Sequence, residues 1–252
     1  MITKQYDIPY GTHALETYDL YLPEKQRQGN PLVIHFHGGS LTGGHKTPHK
    51  HIDDLVEKGY LFGDCNYRLM PEATLPEIMD DAAMAVAAVL RRLSGQYEHV
   101  FIAGDSAGAY ISMMLMFRPQ YLEQAGVPYG TVSGFFHDDA MGTPDFDTYK
   151  QVHPFLSDVL EHPDCPLRDA KKDFPYPPVY FTTFGKGITG FPEYVSMAVA
   201  TMVKLGYGRK VRFDFFPGMP HCGNFGREID GLNAYAYYGF SFYEAVLRGD
   251  YD

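Results

Sequence analysis

The sequence predicts an α/β fold, in which a mostly parallel sheet of about eight strands is flanked by helices on both faces. Short apolar segments rich in β-branched and aromatic residues alternate along the chain with longer amphipathic segments. The length of 252 residues suits one large α/β unit better than two small ones. We therefore expect a single domain over residues 1–252.

The predicted strands begin with an antiparallel hairpin of Tyr6–Tyr10 and Thr17–Leu22. The other strands are nearly continuous apolar runs, which are typical of strands buried on both faces of a parallel sheet. These runs are Pro31–His37, Tyr60–Tyr67, His99–Gly104, Thr131–Phe136, Pro178–Phe184 and Val211–Phe216.

The clearest predicted helix is Leu75–Leu93, where apolar residues recur at intervals of three and four. The other predicted helices are Lys50–Lys58, Ala107–Phe117, Glu193–Leu205 and Leu232–Leu247. One segment interrupts the alternation: residues 137–177 separate two strands and contain a helix-like stretch, Thr148–Leu160, followed by a run rich in proline and aspartate. This segment is predicted to be either a lid or pocket wall, or an elaborated crossover.

Composition excludes several classes of function. A net charge of −10 argues against nucleic acid or an anionic membrane as a partner, and no apolar segment is long enough for a transmembrane helix. The N-terminus has no apolar signal-peptide core, and the three cysteines have neither a metal-binding spacing nor an even count. We therefore expect a cytoplasmic protein with reduced thiols and no metal or other cofactor.

The strongest motif is Gly104-Asp105-Ser106-Ala107-Gly108, which lies between a buried strand and an apolar helix. A strand-to-helix turn this tight holds its central residue in a strained conformation that lifts the side chain above the sheet. Ser106 is therefore the predicted nucleophile. The amide of Ala107, at the start of the helix, is a predicted donor to a developing oxyanion.

A second glycine motif, His37-Gly38-Gly39-Ser40, directly follows the strand that begins at Pro31. Glycines at that point leave backbone N–H groups free to face an oxyanion. Gly38 and Gly39 are therefore predicted oxyanion-hole residues, and His37 is predicted to be a structural hydrogen-bonding residue.

His221 follows the last predicted strand, 115 residues after Ser106. A histidine in that loop can reach over the sheet edge to the serine hydroxyl and act as its general base. Three other histidines, His45, His49 and His51, are close enough in sequence to suggest a metal site. We expect them instead to form a solvated loop and helix start.

Together these motifs resemble the hormone-sensitive-lipase-like branch of the α/β-hydrolase superfamily, which includes bacterial carboxylesterases and acetyl esterases. Further matching pieces are Tyr67-Arg68-Leu69-Met70-Pro71-Glu72, Leu75-Pro76 and Asp81, and all of them occur in the family's order over residues 31–223. The resemblance implies the α/β-hydrolase fold and ester hydrolysis through an acyl-enzyme without a cofactor. It also implies that the pieces around Tyr67-Arg68 are structural.

The family places its catalytic aspartate just after the penultimate strand, where this chain has Gly187. Three explanations remain open: Glu193 serves instead, the acid has moved to Asp138 or Asp139 after the preceding strand, or there is no acid. Loss of the acid from a triad costs about 10⁴ in kcat.

The predicted function is hydrolysis of short-chain acyl or aryl esters, with a small-molecule ester as substrate. A relatively open pocket is expected because only 36 residues precede His37. The alternatives are a catalytically impaired ligand-binding protein of the same fold and an aryl-formamidase-type amidase. A homodimer is also compatible with the sequence.

Overall fold

A computed structural model describes residues 2–143 and 156–252 and has an eight-stranded sheet at its centre. Its strands are β1 (Thr3–Pro9), β2 (Thr17–Leu22), β3 (Pro31–Phe36), β4 (Leu61–Cys65), β5 (His99–Asp105), β6 (Val132–Asp138), β7 (Val179–Lys186) and β8 (Val211–Pro220). The spatial order is β1-β2-β4-β3-β5-β6-β7-β8. β2 is antiparallel to both β1 and β4, and all the other neighbours are parallel. The predicted fold class and strand number are confirmed.

Helices cover both faces of this sheet. They are α1 (Lys50–Glu57), α2 (Leu75–Arg92), α3 (Ala107–Phe117), α4 (Gln120–Gln124), α5 (Leu156–Glu161), α6 (Phe191–Met202) and α7 (Ala234–Leu247). Successive strand side chains point to opposite faces. Ile34 and Ile102 therefore join the core beneath α2, α3 and α6, whereas Val33 and Phe101 join the core beneath α1 and α7.

Two predicted boundaries near the end of the chain differ from the structure. β8 continues to Pro220, four residues beyond its predicted end. A short hairpin of β9 (Glu228–Ile229) and β10 (Leu232–Asn233) then occupies the start of the helix predicted from Leu232. α7 begins at Ala234, two residues after its predicted start, because the Asn233 side chain accepts a hydrogen bond from the backbone N–H of Tyr235 and caps the helix.

Part of the segment at 137–177 lies outside the described residues. So does most of the helix predicted over Thr148–Leu160. Its described end contains α5 and a 3₁₀ turn, Pro166–Asp169. The Tyr110 hydroxyl donates to the carbonyl of Asp164, and Arg118 pairs with Asp169, so this end packs against α3. A role as a lid remains a prediction.

Two further findings concern the predicted setting of the protein. All three cysteines, Cys65, Cys165 and Cys222, are free thiols. Among residues 2–143 and 156–252, no helix has the length and apolar character needed to cross a bilayer.

Candidate active site

Ser106 lies in the turn between β5 and α3, at the carboxyl edge of the sheet. Its φ of 52° and ψ of −112° place a non-glycine residue in a sparsely populated conformation. The flanking glycines make this turn possible, because a Cβ on Gly108 would lie 1.9 Å from the carbonyl oxygen of Phe36. β3, which ends at Phe36, and α3 therefore approach too closely for any other residue at position 108.

His221 follows the end of β8 and connects two side chains that are distant in sequence. Its Nε2 lies 2.8 Å from Ser106 Oγ, and its Nδ1 is hydrogen-bonded to Asp139 Oδ2. With the N–H assigned to Nδ1, His221 donates to the Asp139 carboxylate and accepts from the serine hydroxyl. Serine, imidazole and carboxylate thus form a continuous hydrogen-bonded row.

Asp139 directly follows β6 and is fully buried. Its Oδ1 accepts a hydrogen bond of 2.7 Å from the Thr183 hydroxyl, and its backbone N–H donates to the carbonyl of Thr182. Both threonines belong to β7, so pairing between neighbouring strands orients this carboxylate. With Oδ2 on the histidine, each carboxylate oxygen has a donor, as a buried charge requires.

Gly187, where the family would place its acid, lies beside this carboxylate. A Cβ built on Gly187 would be 3.3 Å from Asp139 Oδ2 and 3.5 Å from the Cα of His221. Asp139 therefore brings its carboxylate to the same place from the neighbouring strand. Glu193 is solvent-exposed in the first turn of α6, and the Asp138 carboxyl contacts Thr182 and Asn224.

The loop after β3 brings Gly38 and Gly39 close to Ser106. A Cβ on Gly38 would lie 3.2 Å from Ser106 Cβ, and Gly39 has a φ of 121°. His37 Nδ1 lies 2.6 Å from the carbonyl oxygen of Gly38, and the His37 ring stacks on Tyr67 at 4.5 Å between centroids. The Tyr67 hydroxyl also donates to the carbonyl of His37 at 2.7 Å. These contacts hold the backbone of the glycine loop in place.

Arg68, the next residue, forms an ion pair beneath the site. Its guanidinium donates to both carboxylate oxygens of Asp81, at 2.9 and 2.8 Å, and Asp81 is fully buried on α2. A bidentate arginine–carboxylate pair of this kind fixes the relative position of two elements. It ties the chain after β4 to α2, away from the reacting atoms.

A pocket of about 600 Å³ opens over Ser106 and His221. Its wall includes His45, His49 and His51. The expectation that all three are solvated was wrong for His51, which is 1% exposed and packs edge-on against Phe225. Among the described residues, no group of three or more His, Cys, Asp or Glu side chains is arranged to hold a metal ion.

Sequence reasoning missed a buried charged row beside Ser106. His35 Nδ1 lies 2.9 Å from Asp64 Oδ1, and its Nε2 lies 3.4 Å from Oδ1 of Asp105, the residue before Ser106. Burial lowers the pKa of His35, but the carboxylates of Asp105 and Asp64 outweigh burial and raise it to about 9. The available signal was the polar pair His35 and Asp64 within otherwise apolar buried strands.

The chain resembles known esterases in sequence over part of its length. A family model described as BD-FAE matches residues 18–131, a little under half of the chain. A probable isoprenylcysteine alpha-carbonyl methylesterase from Arabidopsis thaliana is 29% identical over 123 residues, covering 47% of this chain and 29% of that protein. A kynurenine formamidase from Danio rerio is 31% identical over 114 residues, covering 44% of this chain and 38% of that protein. The matches thus span well under half of these curated relatives.

The similarity in three dimensions extends over nearly the whole chain. Esterase B from Lactobacillus rhamnosis superposes with a TM-score of 0.79 and 16% sequence identity, covering 99% of this chain and 87% of that one. At this level of identity, the likeness concerns the fold alone.

Proposed function

We propose that this chain, an α/β hydrolase by fold, is a serine carboxylesterase that acts through an acyl-enzyme. The observation that carries the proposal is the His221 ring, which bridges the Ser106 hydroxyl at 2.8 Å and the buried carboxylate of Asp139. Nucleophile, base and orienting acid are the three roles that acyl transfer requires. The similarity to esterases in sequence and fold supports the same class of reaction.

Acylation begins when Ser106 Oγ attacks the carbonyl carbon of the ester. His221 Nε2 takes the hydroxyl proton, and the Asp139 carboxylate stabilises the imidazolium through its hydrogen bond to Nδ1–H. The negative charge that develops on the carbonyl oxygen is stabilised by backbone N–H groups of Gly38, Gly39 and Ala107. The tetrahedral adduct then expels the alcohol, which receives its proton from Nε2.

Deacylation repeats these steps with water. His221 removes a proton from water as the water oxygen attacks the acyl carbon, and the same amides stabilise the second tetrahedral adduct. Collapse breaks the bond to Ser106 Oγ, which takes the proton back from Nε2, and the carboxylic acid leaves. The pocket of about 600 Å³ suits a short acyl chain or an aryl group.

The test is hydrolysis of p-nitrophenyl acetate by the native chain and by Ser106→Ala. We expect Ser106-dependent turnover, together with labelling of Ser106 by a fluorophosphonate probe that His221→Ala prevents. Equal rates for the native chain and Ser106→Ala would refute the proposal.

An aryl-formamidase activity is the second candidate, and the sequence similarity to a kynurenine formamidase favours it. An amide needs a protonated nitrogen leaving group, and His221 would supply that proton from Nε2. Matched formyl-anilide and phenyl-ester substrates separate the two activities. A higher kcat/KM for the anilide would identify the chain as an amidase.

The hypothesis of a catalytically silent ligand-binding protein rested on the missing acid at Gly187. Asp139 beside His221 removes that reason. A small-molecule ester remains the proposed partner, while cytoplasmic location and a homodimer remain predictions from the sequence.

A further inference from the structure

We propose that Asp138 is a neutral carboxylic acid in the working enzyme and that its pairing with Asn224 positions the loop carrying His221. This inference rests on the proposed esterase function for its kinetic readout. Asp138 takes no part in the chemistry described above, although it directly precedes Asp139 in the sequence. It would be a positioning residue.

The hydrogen-bond geometry around Asp138 favours a protonated carboxyl group. Asp138 and Asn224 are both fully buried, and Asn224 Nδ2 donates to Asp138 Oδ1 at 3.1 Å. The Thr182 hydroxyl donates to the same oxygen. Two acceptor atoms are left over: Asp138 Oδ2 and Asn224 Oδ1 have no hydrogen-bond partner within the described part of the chain.

A proton on Asp138 Oδ2 would give both of these atoms a partner. The acid O–H would donate to Asn224 Oδ1 while Asn224 Nδ2 donates to Asp138 Oδ1, which closes a two-hydrogen-bond acid–amide ring. With an ionised carboxylate, Asn224 Oδ1 would have no donor, and two buried acceptors would remain unpaired.

The charges around this site also favour the neutral acid. Burial, helped by the negative charges of Asp139 and Asp105, outweighs the hydrogen bonds from Thr182 and Asn224 and raises the pKa of Asp138 to about 7. Among the residues that the structure describes, other titratable groups that face Asp138 include the Cys222 thiol and the hydroxyls of Tyr180 and Tyr235, and these three are not cationic. Two adjacent buried carboxyls thus divide the roles: one is ionised against His221, and the other is neutral.

The acid–amide pair ties the histidine loop to the sheet. Asn224 lies three residues after His221, and the backbone N–H of Ser106 donates to the carbonyl of Asp138 at 2.8 Å. Asp138 therefore touches both the nucleophile turn and the histidine loop. When it ionises, the hydrogen bond to Asn224 Oδ1 is lost and His221 is no longer held over Ser106.

Asp138→Asn tests this proposal, because an amide at position 138 can donate to Asn224 Oδ1 at every pH. With p-nitrophenyl acetate, we expect kcat within about threefold of the native value at pH 6.5, and an alkaline decline in kcat/KM shifted upward by at least about one pH unit. Asn224→Asp should lose at least about tenfold in kcat at pH 8, and the exchanged pair Asp138→Asn with Asn224→Asp should recover most of that loss. Asp139→Asn is the matched control and should lose activity at every pH.

Two results would overturn the proposal. One is a loss in Asp138→Asn as deep as in Asp139→Asn, which would mean that Asp138 works as an anion. The other is a pH profile for Asp138→Asn that superimposes on the native profile. If the native chain has no esterase activity, the pH dependence of unfolding decides instead. The native chain should then lose stability as the pH rises from about 4 to about 7, the interval between the unfolded and folded pKa of Asp138. Asp138→Asn should lose less stability over this interval, whereas identical curves would refute the proposal.

Discussion

The two ends of the proposed active site, Ser106 and Asp139, are held in place in different ways. Ser106 is held by a strand, a glycine-flanked turn and a helix that are consecutive in sequence. Asp139 is held by the neighbouring strand: its backbone N–H donates to the carbonyl of Thr182, and its carboxylate accepts from the Thr183 hydroxyl. A strained turn constrains every residue around it, whereas an acid needs only to bring a carboxylate within reach of an imidazole nitrogen.

This difference explains why one element follows the family pattern and the other does not. The nucleophile turn tolerates no larger residue at Gly108 because of the carbonyl of Phe36. The carboxylate can arrive from either of two adjacent parallel strands, since both end at the same edge. Here it arrives from β6, at the place where a side chain at Gly187 would otherwise lie.

Ser106→Ala should have the largest effect on activity. Removal of the nucleophile from a hydrolase triad costs about 10⁶ in kcat, and the pocket should still bind substrate. Steady-state kinetics with p-nitrophenyl acetate measure the loss. A residual rate above one per cent would show that Ser106 is not the nucleophile.

Moving the carboxylate from position 139 to position 187 tests the proposed role of Asp139 directly. Asp139→Gly should lose about 10³–10⁴ in kcat, and its backbone should tolerate the change because Asp139 has a φ of 56°. Adding Gly187→Asp in that background should restore about tenfold or more. Gly187→Asp alone is the control and should not raise activity, because two carboxylates would then repel each other. No recovery in the double variant would mean that a carboxylate attached at position 187 cannot replace the one at position 139.

Gly108→Ala tests how strictly the nucleophile turn is constrained. A methyl group placed 1.9 Å from the Phe36 carbonyl oxygen forces β3 and α3 apart. We expect a loss of about 3 kcal/mol or more in the free energy of unfolding, measured by urea denaturation, with a parallel loss of fluorophosphonate labelling. A native-like midpoint would show that the turn can open without cost.

His35, which lies beside Ser106, should make the free energy of unfolding of the chain depend on pH. Its pKa is raised to about 9 in the folded chain against about 6.5 unfolded, so its contribution is full below about pH 6.5 and is lost as the pH rises through about 9. The contribution is at most about 3 kcal/mol. His35→Gln should therefore be less stable than the native chain at pH 6 and close to it at pH 10. Parallel denaturation curves at the two pH values provide the check.

Glu193→Gln should have the smallest effect. Glu193 is exposed at the start of α6, while the imidazole already contacts Asp139. We expect kcat/KM within about twofold of the native value, because exposed surface charges contribute little. A loss comparable to that in Asp139→Gly would reassign the acid to Glu193.

The sequence by itself determined the elements that depend on neighbours in the chain. Apolar runs and three-to-four spacing located the strands and helices to within a few residues. Gly104 to Gly108 marked the turn that carries Ser106, because its geometry is set within five residues. The position of His221 followed from its place after the last predicted strand, Val211–Phe216.

Only the tertiary structure decided the rest of the site. Whether Asp138, Asp139 or Glu193 reaches His221 depends on the register between β6 and β7, which pairs Asp138 with Thr182. A one-residue change in register would exchange the sides on which successive side chains point. The Asn224 pairing and the row from Asp64 through His35 to Asp105 likewise exist only because separate strands and loops end at one edge. Such contacts leave no periodic trace in a single sequence, because their partners are set by packing over the whole sheet.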